Sequence, residues 1–326
     1  MFFKNFKNKL CMVLLITILS MPISALAYSE SVVLGGENVG IEVKSAGVFV
    51  VGFYNINSSS PGQKAGLKIG DVITKVDDTV IHGITDLSKH FDDKESIKIT
   101  YKRGNSTNTT ILNLQKDKDV YKTGIYVKDS IMGIGTLTFI DPTNNRFGAL
   151  GHEILEQTTG VKFEVKNGKI FKSSVTSIEK AERGSVGEKN AIYNADEVYG
   201  TIDKNDLTGI YGTYTKNYNK NQLIDISTDL KTGPATRVTV LKNSDKEKLD
   251  INILSIDFDH KTKNILFEVT DQTLLKKGNG IVQGMSGSPI IQNDKLVGAV
   301  THVLVDDPHK GYGILITNML KESEED

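Results

Sequence analysis

The stretch Gly284-Met285-Ser286-Gly287-Ser288-Pro289-Ile290 places one serine between glycines, in a turn that runs directly into apolar residues. Glycine permits the tight backbone path that such a turn requires. An attacking hydroxyl must stand clear of the backbone, while nearby N–H groups point at the oxygen that becomes charged. The turn therefore indicates Ser286 as a candidate nucleophile. A glycine-rich turn that merely joins two strands is the alternative interpretation of this stretch alone.

The residues that follow predict a β-hairpin. Residues 290–292 and 296–300 are two apolar strands, and the polar residues 293–295 form the turn between them. A G-x-S-G-x-P turn that leads into such a hairpin resembles the nucleophile region of trypsin-like serine peptidases, where the second strand walls the substrate pocket. By that analogy, the backbone N–H groups of Gly284 and Ser286 are the expected oxyanion donors. The G-x-S-x-G turn of α/β-hydrolases differs, because Ser288 occupies its final glycine position.

Length and composition leave room for two domains but do not name a function. The chain has 326 residues, of which 38% are hydrophobic and 24% are charged. These fractions are typical of a globular protein with a good-sized core.

The first 27 residues have the features of an export signal. Lys4, Lys7 and Lys9 form a positive end, residues 10–19 are apolar, and Ala25-Leu26-Ala27 matches an A-x-A cleavage site. We therefore expect export across a membrane, with residues 28–38 as a linker. An uncleaved anchor that keeps the protein membrane-associated is the alternative, since residues 10–27 approach the roughly 20 residues that span a bilayer.

Removal of this segment would change the charge and the cysteine content of the chain. The rest would carry 36 basic and 40 acidic residues, a formal charge of −4, which argues against nucleic acid as a partner. The single cysteine, Cys11, lies in the same segment. The exported part would therefore hold no disulfide and no cysteine metal ligand, and the sequence indicates no cofactor.

The region from residue 39 to residue 116 reads as a small β-rich domain with one helix. Its run A-G-L-x-x-G-D-x-I at residues 65–73 resembles the PDZ domains of bacterial proteases. The resemblance implies that Val39, Gly40 and Ile41 form the loop and edge strand that receive a peptide by β-augmentation. A spacer or packing surface with no peptide ligand is the alternative.

Residues 117–326 read as an all-β domain, a sandwich or a barrel. Short alternating segments are separated by Gly, Asn, Asp and Pro turns, and only residues 271–277 and the last residues before the acidic end suggest helix. Together with the trypsin-like turn, this pattern predicts a mainly β protein, in which the PDZ domain precedes a trypsin-like double β-barrel.

His152 is the best candidate for the base that accepts the serine proton. It follows Gly151 at the end of a predicted strand, and it precedes the serine turn in the order that trypsin-like enzymes use. A zinc-binding H-E-x-x-H helix is excluded, because Glu156 stands where the second histidine is required. We therefore expect no metal site.

Two aspartates are candidates for the acid that orients the histidine. Asp271 ends an apolar strand shortly before Ser286, and Asp141 ends another shortly before His152. Either could instead cap a turn or a helix. Trypsin-like order places the acid between the histidine and the serine, which favours Asp271.

The succession of export segment, PDZ domain, Gly-His and G-M-S-G-S-P-I resembles the SpoIVB peptidase family of endospore-forming bacteria over residues 10–320. By position, the catalytic histidine, aspartate and serine of that family fall on His152, Asp271 and Ser286. The resemblance implies a serine endopeptidase exported from the forespore into the space between forespore and mother cell. Its implied substrates are itself and a membrane-bound regulator of an intramembrane protease, whose release activates a mother-cell sigma factor.

A peptide-binding adaptor with a catalytically silent β domain is the competing function. The presence of both Ser286 and His152 argues against it.

Overall fold

The computed structural model describes residues 28–91 and 94–324, and its secondary structure is mainly β, as predicted. The predicted export segment, residues 1–27, lies outside the described residues. The first strands are β1 (Ser31–Leu34), β2 (Asn38–Phe53), β3 (Val72–Val76), β4 (Thr79–Val80), β5 (Ser96–Arg103), β6 (Ser106–Asn113), β7 (Gln115–Asp117) and β8 (Val120–Lys122). They are followed by β9 (Ile125–Ile140), β10 (Arg146–Ala149), β11 (Val165–Glu179), β12 (Glu188–Asp206), β13 (Gly209–Tyr214) and β14 (Leu223–Asp225). The last strands are β15 (Gly233–Lys242), β16 (Asp245–Ile256), β17 (Ile265–Val269), β18 (Pro289–Gln292), β19 (Lys295–Leu304) and β20 (Asp307–Leu315).

Short helices join some of these strands. They are α1 (Pro61–Lys64), α2 (Ile84–Ser88), a 3-10 turn (Lys220–Gln222), α3 (Gln272–Gly278) and α4 (Ile316–Glu324). Helices α3 and α4 fall where the sequence predicted helix. In the part of the chain that the structure describes, no helix is both long enough and apolar enough to cross a membrane.

Two barrels and a PDZ-like unit make up the described structure. The first barrel closes through the antiparallel pairs of β2 with β9, β9 with β10, β10 with β13, β13 with β12, β12 with β11 and β11 with β2. The second barrel closes in the order β15-β16-β17-β20-β19-β18. Each has its own core, centred on Phe147 and Ile170 in the first and on Phe267 and Ile290 in the second.

As predicted, the PDZ-like unit precedes most of the barrel region, but it is inserted after the first part of β2, which already belongs to the first barrel. The first part of β2 pairs with β11 and β9 in the barrel. Further along β2, Val48 and Phe49 pair with β3, to which β5 and β6 are added. The chain returns through the first part of β9, where Ile125 joins the PDZ core. The domain limits 39–116 and 117–326 stay a prediction, but strand β2 contributes to both units.

The hairpin after the serine turn forms as the sequence predicted. Strands β18 and β19 pair with Gln292 opposite Lys295, and Asn293 and Asp294 have φ values of 51° and 57°. Asparagine and aspartate adopt this left-handed conformation more readily than other non-glycine residues, so they suit a tight two-residue turn.

Asp71, from the A-G-L-x-x-G-D run, holds the PDZ-like unit together. Its carboxylate accepts two bonds of 2.7 Å from Nε and Nη2 of Arg103 and one of 2.8 Å from the N–H of Lys68. The Asp71 side chain is 1% exposed, and that of Arg103 is 37% exposed. A bidentate pair with one buried partner contributes more to stability than a solvated surface pair.

We predict that Arg103→Met lowers the free energy of unfolding of the PDZ-like unit by about 1–2 kcal/mol, because Asp71 then stays buried without its cation. Lys98→Met is the matched control, since Lys98 pairs with Asp78, whose side chain is 76% exposed. Urea unfolding of both variants measures the difference. Equal losses in the two variants would show that the Arg103–Asp71 pair stabilises the fold no more than the exposed Lys98–Asp78 pair does.

Candidate active site

The serine turn and the strand-end histidine meet in one cleft between the two barrels. The cleft has a volume of about 520 Å³, and its walls include Ile134 of β9, His152, Gln283, Ser286 and His302. The structure therefore brings together the two residues that the sequence selected as nucleophile and base, although they are 134 positions apart.

Two glycines give the serine turn its shape. Gly284 and Gly287 have φ values of 87° and 90°, which residues with a side chain rarely adopt. A Cβ added at Gly287 would lie 2.1 Å from the carbonyl oxygen of Thr136. The G-x-S-G pattern is thus required both by the backbone conformation and by the close approach of β9.

Strand β9 of the first barrel fixes the serine turn through Thr136. Its N–H donates to the Ser286 carbonyl oxygen at 2.9 Å, and its Oγ1 donates to the Gly284 carbonyl oxygen at 2.9 Å. Within the described part of the chain, the N–H groups of Gly284 and Ser286 have no hydrogen-bond partner. Both groups are therefore free for the oxyanion role that the sequence suggests by analogy, and that role stays a prediction.

The Ser286 hydroxyl is held on the second barrel. Its Oγ donates a 2.8 Å hydrogen bond to the carbonyl oxygen of Thr301 on β19, and no bond joins it to His152 in the described structure. Nucleophile–base bonds are often long or absent without substrate and form only in the complex. A rotation of the Ser286 side chain would redirect the proton.

His152 lines the cleft shortly after the end of a strand and directly after Gly151, close to the strand end that the sequence predicted. Strand β10 ends at Ala149, and Leu150 and Gly151, both with positive φ, turn the chain toward the second barrel. The Nδ1 of His152 lies 2.8 Å from the Glu153 carbonyl oxygen. Because a carbonyl oxygen can only accept, the proton of the neutral ring is on Nδ1, and Nε2 is left free as a base.

The loop after His152 is held by two buried polar side chains. Asn205 bonds to the N–H and the carbonyl oxygen of Ile154. Glu156 accepts from Lys128 Nζ at 2.5 Å and from the N–H groups of Thr158 and Thr159. Burial alone would raise the pKa of Glu156, but these bonds outweigh it and lower that pKa to about 2. Glu156 is thus a structural anion, and among the described residues no group of acidic, histidine or cysteine side chains is arranged to hold a metal ion.

Neither predicted acid contacts His152. The Asp271 carboxylate caps α3 by accepting from the Leu274 N–H at 2.9 Å, and Asp141 accepts from Ser29 and Thr143 in a turn. This placement corrects the prediction that Asp271 holds the ring. The Glu153 carbonyl oxygen takes that position, and a main-chain group leaves no signal in the sequence.

The predicted peptide-binding edge is also corrected. Val39, Gly40 and Ile41 are paired on both sides, with Lys172, Phe171 and Ile170 of β11 and with Gly135, Ile134 and Gly133 of β9. A strand with both edges occupied cannot accept a further strand. These residues build the wall of the first barrel, and Ile41 also lines the catalytic cleft.

His302 is a cleft residue that the sequence reasoning did not select. It follows Thr301 on β19, and its ring centroid lies 5.1 Å from that of His152. Burial, with smaller effects of His152 and Lys263, lowers the pKa of His302 to about 4. Burial also lowers the pKa of His152, against the opposing bond to Glu153. Both rings are therefore neutral at pH 7, and His152 is in its proton-accepting form.

We predict that NMR titration of the histidines finds His302 with a pKa near 4 and His152 below the ordinary value of about 6.5. The urea-unfolded chain, in which all histidines are solvated, is the reference. Asp271→Asn should leave the His152 titration unchanged, since asparagine also caps a helix. A change of more than about half a unit in the pKa of His152 in that variant would show that Asp271 does interact with the His152 ring.

Comparison with known proteins finds a peptidase region and a PDZ region in this chain. The family profile described as "SpoIVB peptidase S55" matches residues 119–320, and that described as "PDZ domain" matches residues 37–114. The Serine protease Do-like HtrA of Lactococcus lactis subsp. lactis is 41% identical over 66 residues in the PDZ region, and that of subsp. cremoris is 38% identical over 66 residues. Each match spans 19% of this chain and only 16% of the relative.

A solved structure, the PDZ domain of an SdrC-like protein from Listeria monocytogenes, covers 26% of this chain and 90% of its own, with 23% identity and a TM-score of 0.22. That likeness is too weak to carry an argument. The peptidase profile, in contrast, spans more than half of the chain, including His152 and Ser286. The chain therefore belongs to the SpoIVB peptidase S55 family, a family of serine peptidases.

Proposed function

We propose that this serine peptidase is an exported sporulation endopeptidase that cleaves itself and a membrane-bound regulator of an intramembrane protease. Its site of action would be the space between forespore and mother cell, where the cleavage would trigger activation of a mother-cell sigma factor. The observation that carries the proposal is the cleft in which Ser286, His152 and two unpaired N–H groups converge. Family membership supports the biological setting.

The proposed reaction uses these groups in two steps. Ser286 Oγ attacks the peptide carbonyl carbon while its proton passes to Nε2 of His152. The oxygen that becomes negative is bound by the N–H groups of Gly284 and Ser286. The C–N bond then breaks as His152 gives the proton to the leaving amine. Water next attacks the acyl group, with His152 as base, which releases the acid and restores Ser286.

The inserted PDZ-like unit supports a protein substrate rather than a small ester or amide. Strands β2 and β9 run from that unit into the barrel wall beside the cleft, so the two parts are joined by continuous backbone. A partner bound by the PDZ-like unit would therefore be held at a defined distance from Ser286. A silent adaptor, the second function considered, would bind the partner without cutting it.

We predict that Ser286→Ala and His152→Ala each reduce self-cleavage and cleavage of a protein substrate by about 10⁴-fold or more while the chain stays folded, because each removes a reacting group. Mass spectrometry of the fragments and circular dichroism measure the two outcomes. Ser288→Ala is the control: it removes a hydroxyl of the same turn, one that only bonds the Met285 carbonyl oxygen. Its loss should be less than about tenfold.

The adaptor function would be supported if the parent chain bound its partner and left it intact, or if Ser286→Ala cut as fast as the parent. The sporulation role has its own test. In a sporulating host that depends on this chain, the Ser286→Ala chain should accumulate uncut and should fail to activate the mother-cell sigma factor. Normal activation by that variant would separate the peptidase from the proposed pathway.

A further inference from the structure

An arginine lies in the core of the second barrel, directly behind the serine turn. Arg237 of β15 is 0% exposed, and Ala235 and Leu241 of the same strand belong to that core. Its Nη2 lies 3.1 Å from the sulfur of Met285, the residue between the two oxyanion donors. Its Nε and Nη1 are buried and have no hydrogen-bond partner in the described structure.

No carboxylate within the described residues bonds to this guanidinium. The charge of Asp271 acts on Arg237, but no hydrogen bond joins the two side chains in the described structure. Asp271 Oδ1 instead accepts from the Leu274 N–H as the cap of α3. Burial lowers the pKa of Arg237 to about 9, with Asp271 opposing the change. The side chain therefore still carries its full charge at neutral pH.

A second buried basic side chain, Lys189 of β12, lies beside the residue that precedes the serine turn. Its N–H donates to the Gln283 carbonyl oxygen at 3.0 Å, and its Nζ donates to Thr239 Oγ1 at 2.9 Å. Burial, and then the charge of Arg237, lower the pKa of Lys189 well below its usual value. Lys189 thus loses its proton more readily than an ordinary lysine, whereas Arg237 stays positively charged behind the turn.

An unpaired buried cation destabilises a fold, and a well-packed apolar side chain of similar volume in its place is often neutral or stabilising. A positive charge has a catalytic use at this place, because peptide-bond attack creates a negative oxygen at the N–H groups on either side of Met285. The low-dielectric core screens that attraction much less than water would.

We propose that Arg237 stabilises the oxyanion formed at Gly284 and Ser286, acting across Met285 without touching the substrate. The inference rests on the proposed peptidase function and names a further residue on which its rate depends. Arg237 is a positioning residue and not a catalytic one. It contacts no reacting atom and acts through its fixed positive charge, which lies near the place where negative charge develops. On this inference, Arg237 supports the reaction rate and does not stabilise the fold. Its replacement by an apolar side chain should therefore lower kcat without lowering Tm, whereas replacement of a purely structural arginine would lower Tm.

The test compares Arg237→Met with Arg237→Lys in the full chain. Arg237→Met should lower kcat roughly tenfold to hundredfold, less than the loss of a direct oxyanion donor, with KM unchanged within about twofold. Its Tm should be equal to or higher than that of the parent. Burial lowers the pKa of a lysine at this position, as it does for Lys189. Arg237→Lys should therefore keep more of kcat than Arg237→Met at low pH and lose this advantage as the pH rises, whereas the loss in Arg237→Met should be the same at every pH. Inhibition by a peptide aldehyde, which forms a charged tetrahedral adduct, should weaken in parallel with kcat.

Leu241→Met is the matched control, an apolar exchange on the same strand and in the same core. It should leave kcat unchanged. Full activity of Arg237→Met would overturn the inference. So would equal losses in Arg237→Met and Arg237→Lys at every pH, or a lowered Tm or misfolding of Arg237→Met, since each would make the arginine structural. Failure of the proposed function would appear differently, as a parent chain that cleaves nothing.

Discussion

The antiparallel pairing of β2 with β9 is the interaction on which the rest of the structure depends. It begins in the PDZ-like unit with Phe53 opposite Ile125 and continues into the first barrel to Asn38 opposite Thr136. Backbone hydrogen bonds along such a pair couple the two units through rigid strands rather than through a linker. Thr136, at the barrel end of this strand pair, also donates hydrogen bonds to the carbonyl oxygens of Ser286 and Gly284 in the serine turn. The same strand pair thus joins the PDZ-like unit, the barrel wall and the nucleophile.

The catalytic pair is divided between the barrels, so its geometry depends on their contact. His152 belongs to the first barrel, and Ser286 belongs to the second. Thr136 and Thr138 donate to the carbonyl oxygens of Gly284 and Gly287 across that boundary. These bonds hold the carbonyl groups of the turn in place, and the N–H groups of Gly284 and Ser286 have no hydrogen-bond partner among the described residues. A turn that is fixed before substrate binds is the condition for electrostatic stabilisation without reorganisation.

Burial sets the electrostatics of the cleft more than ion pairing does. Burial disfavours the charged form of His152 and His302 and keeps both rings neutral, although His152 is only half-buried and His302 is partly open to solvent. The His152 ring is held by a main-chain carbonyl instead of a carboxylate. Neutral imidazole is the form that accepts a proton. Arg237 is 0% exposed and still remains charged, because its intrinsic pKa is so high. A neutral base thus lies in front of the serine turn and a cation behind it.

Local sequence was sufficient for the features that depend on neighbouring residues. The glycines around Ser286, the Asn293-Asp294 turn, the strand-end His152 and the helix after Asp271 all follow from conformational preferences within a few positions. The PDZ domain, the double barrel and the peptidase family could likewise be predicted, because their motifs are short and contiguous.

Only the tertiary structure decided which distant groups meet. Asp271 fitted the trypsin-like order that places the acid between the histidine and the serine, yet an aspartate before a helix is equally a cap, and that use prevails here. Val39, Gly40 and Ile41 looked like an open edge because a sequence does not reveal that β11 returns to cover it. Arg237 and the Glu153 carbonyl oxygen carried no signal at all. Their roles come from burial and from contacts made by residues far apart in the chain, whereas the serine turn is built from residues that are adjacent in it.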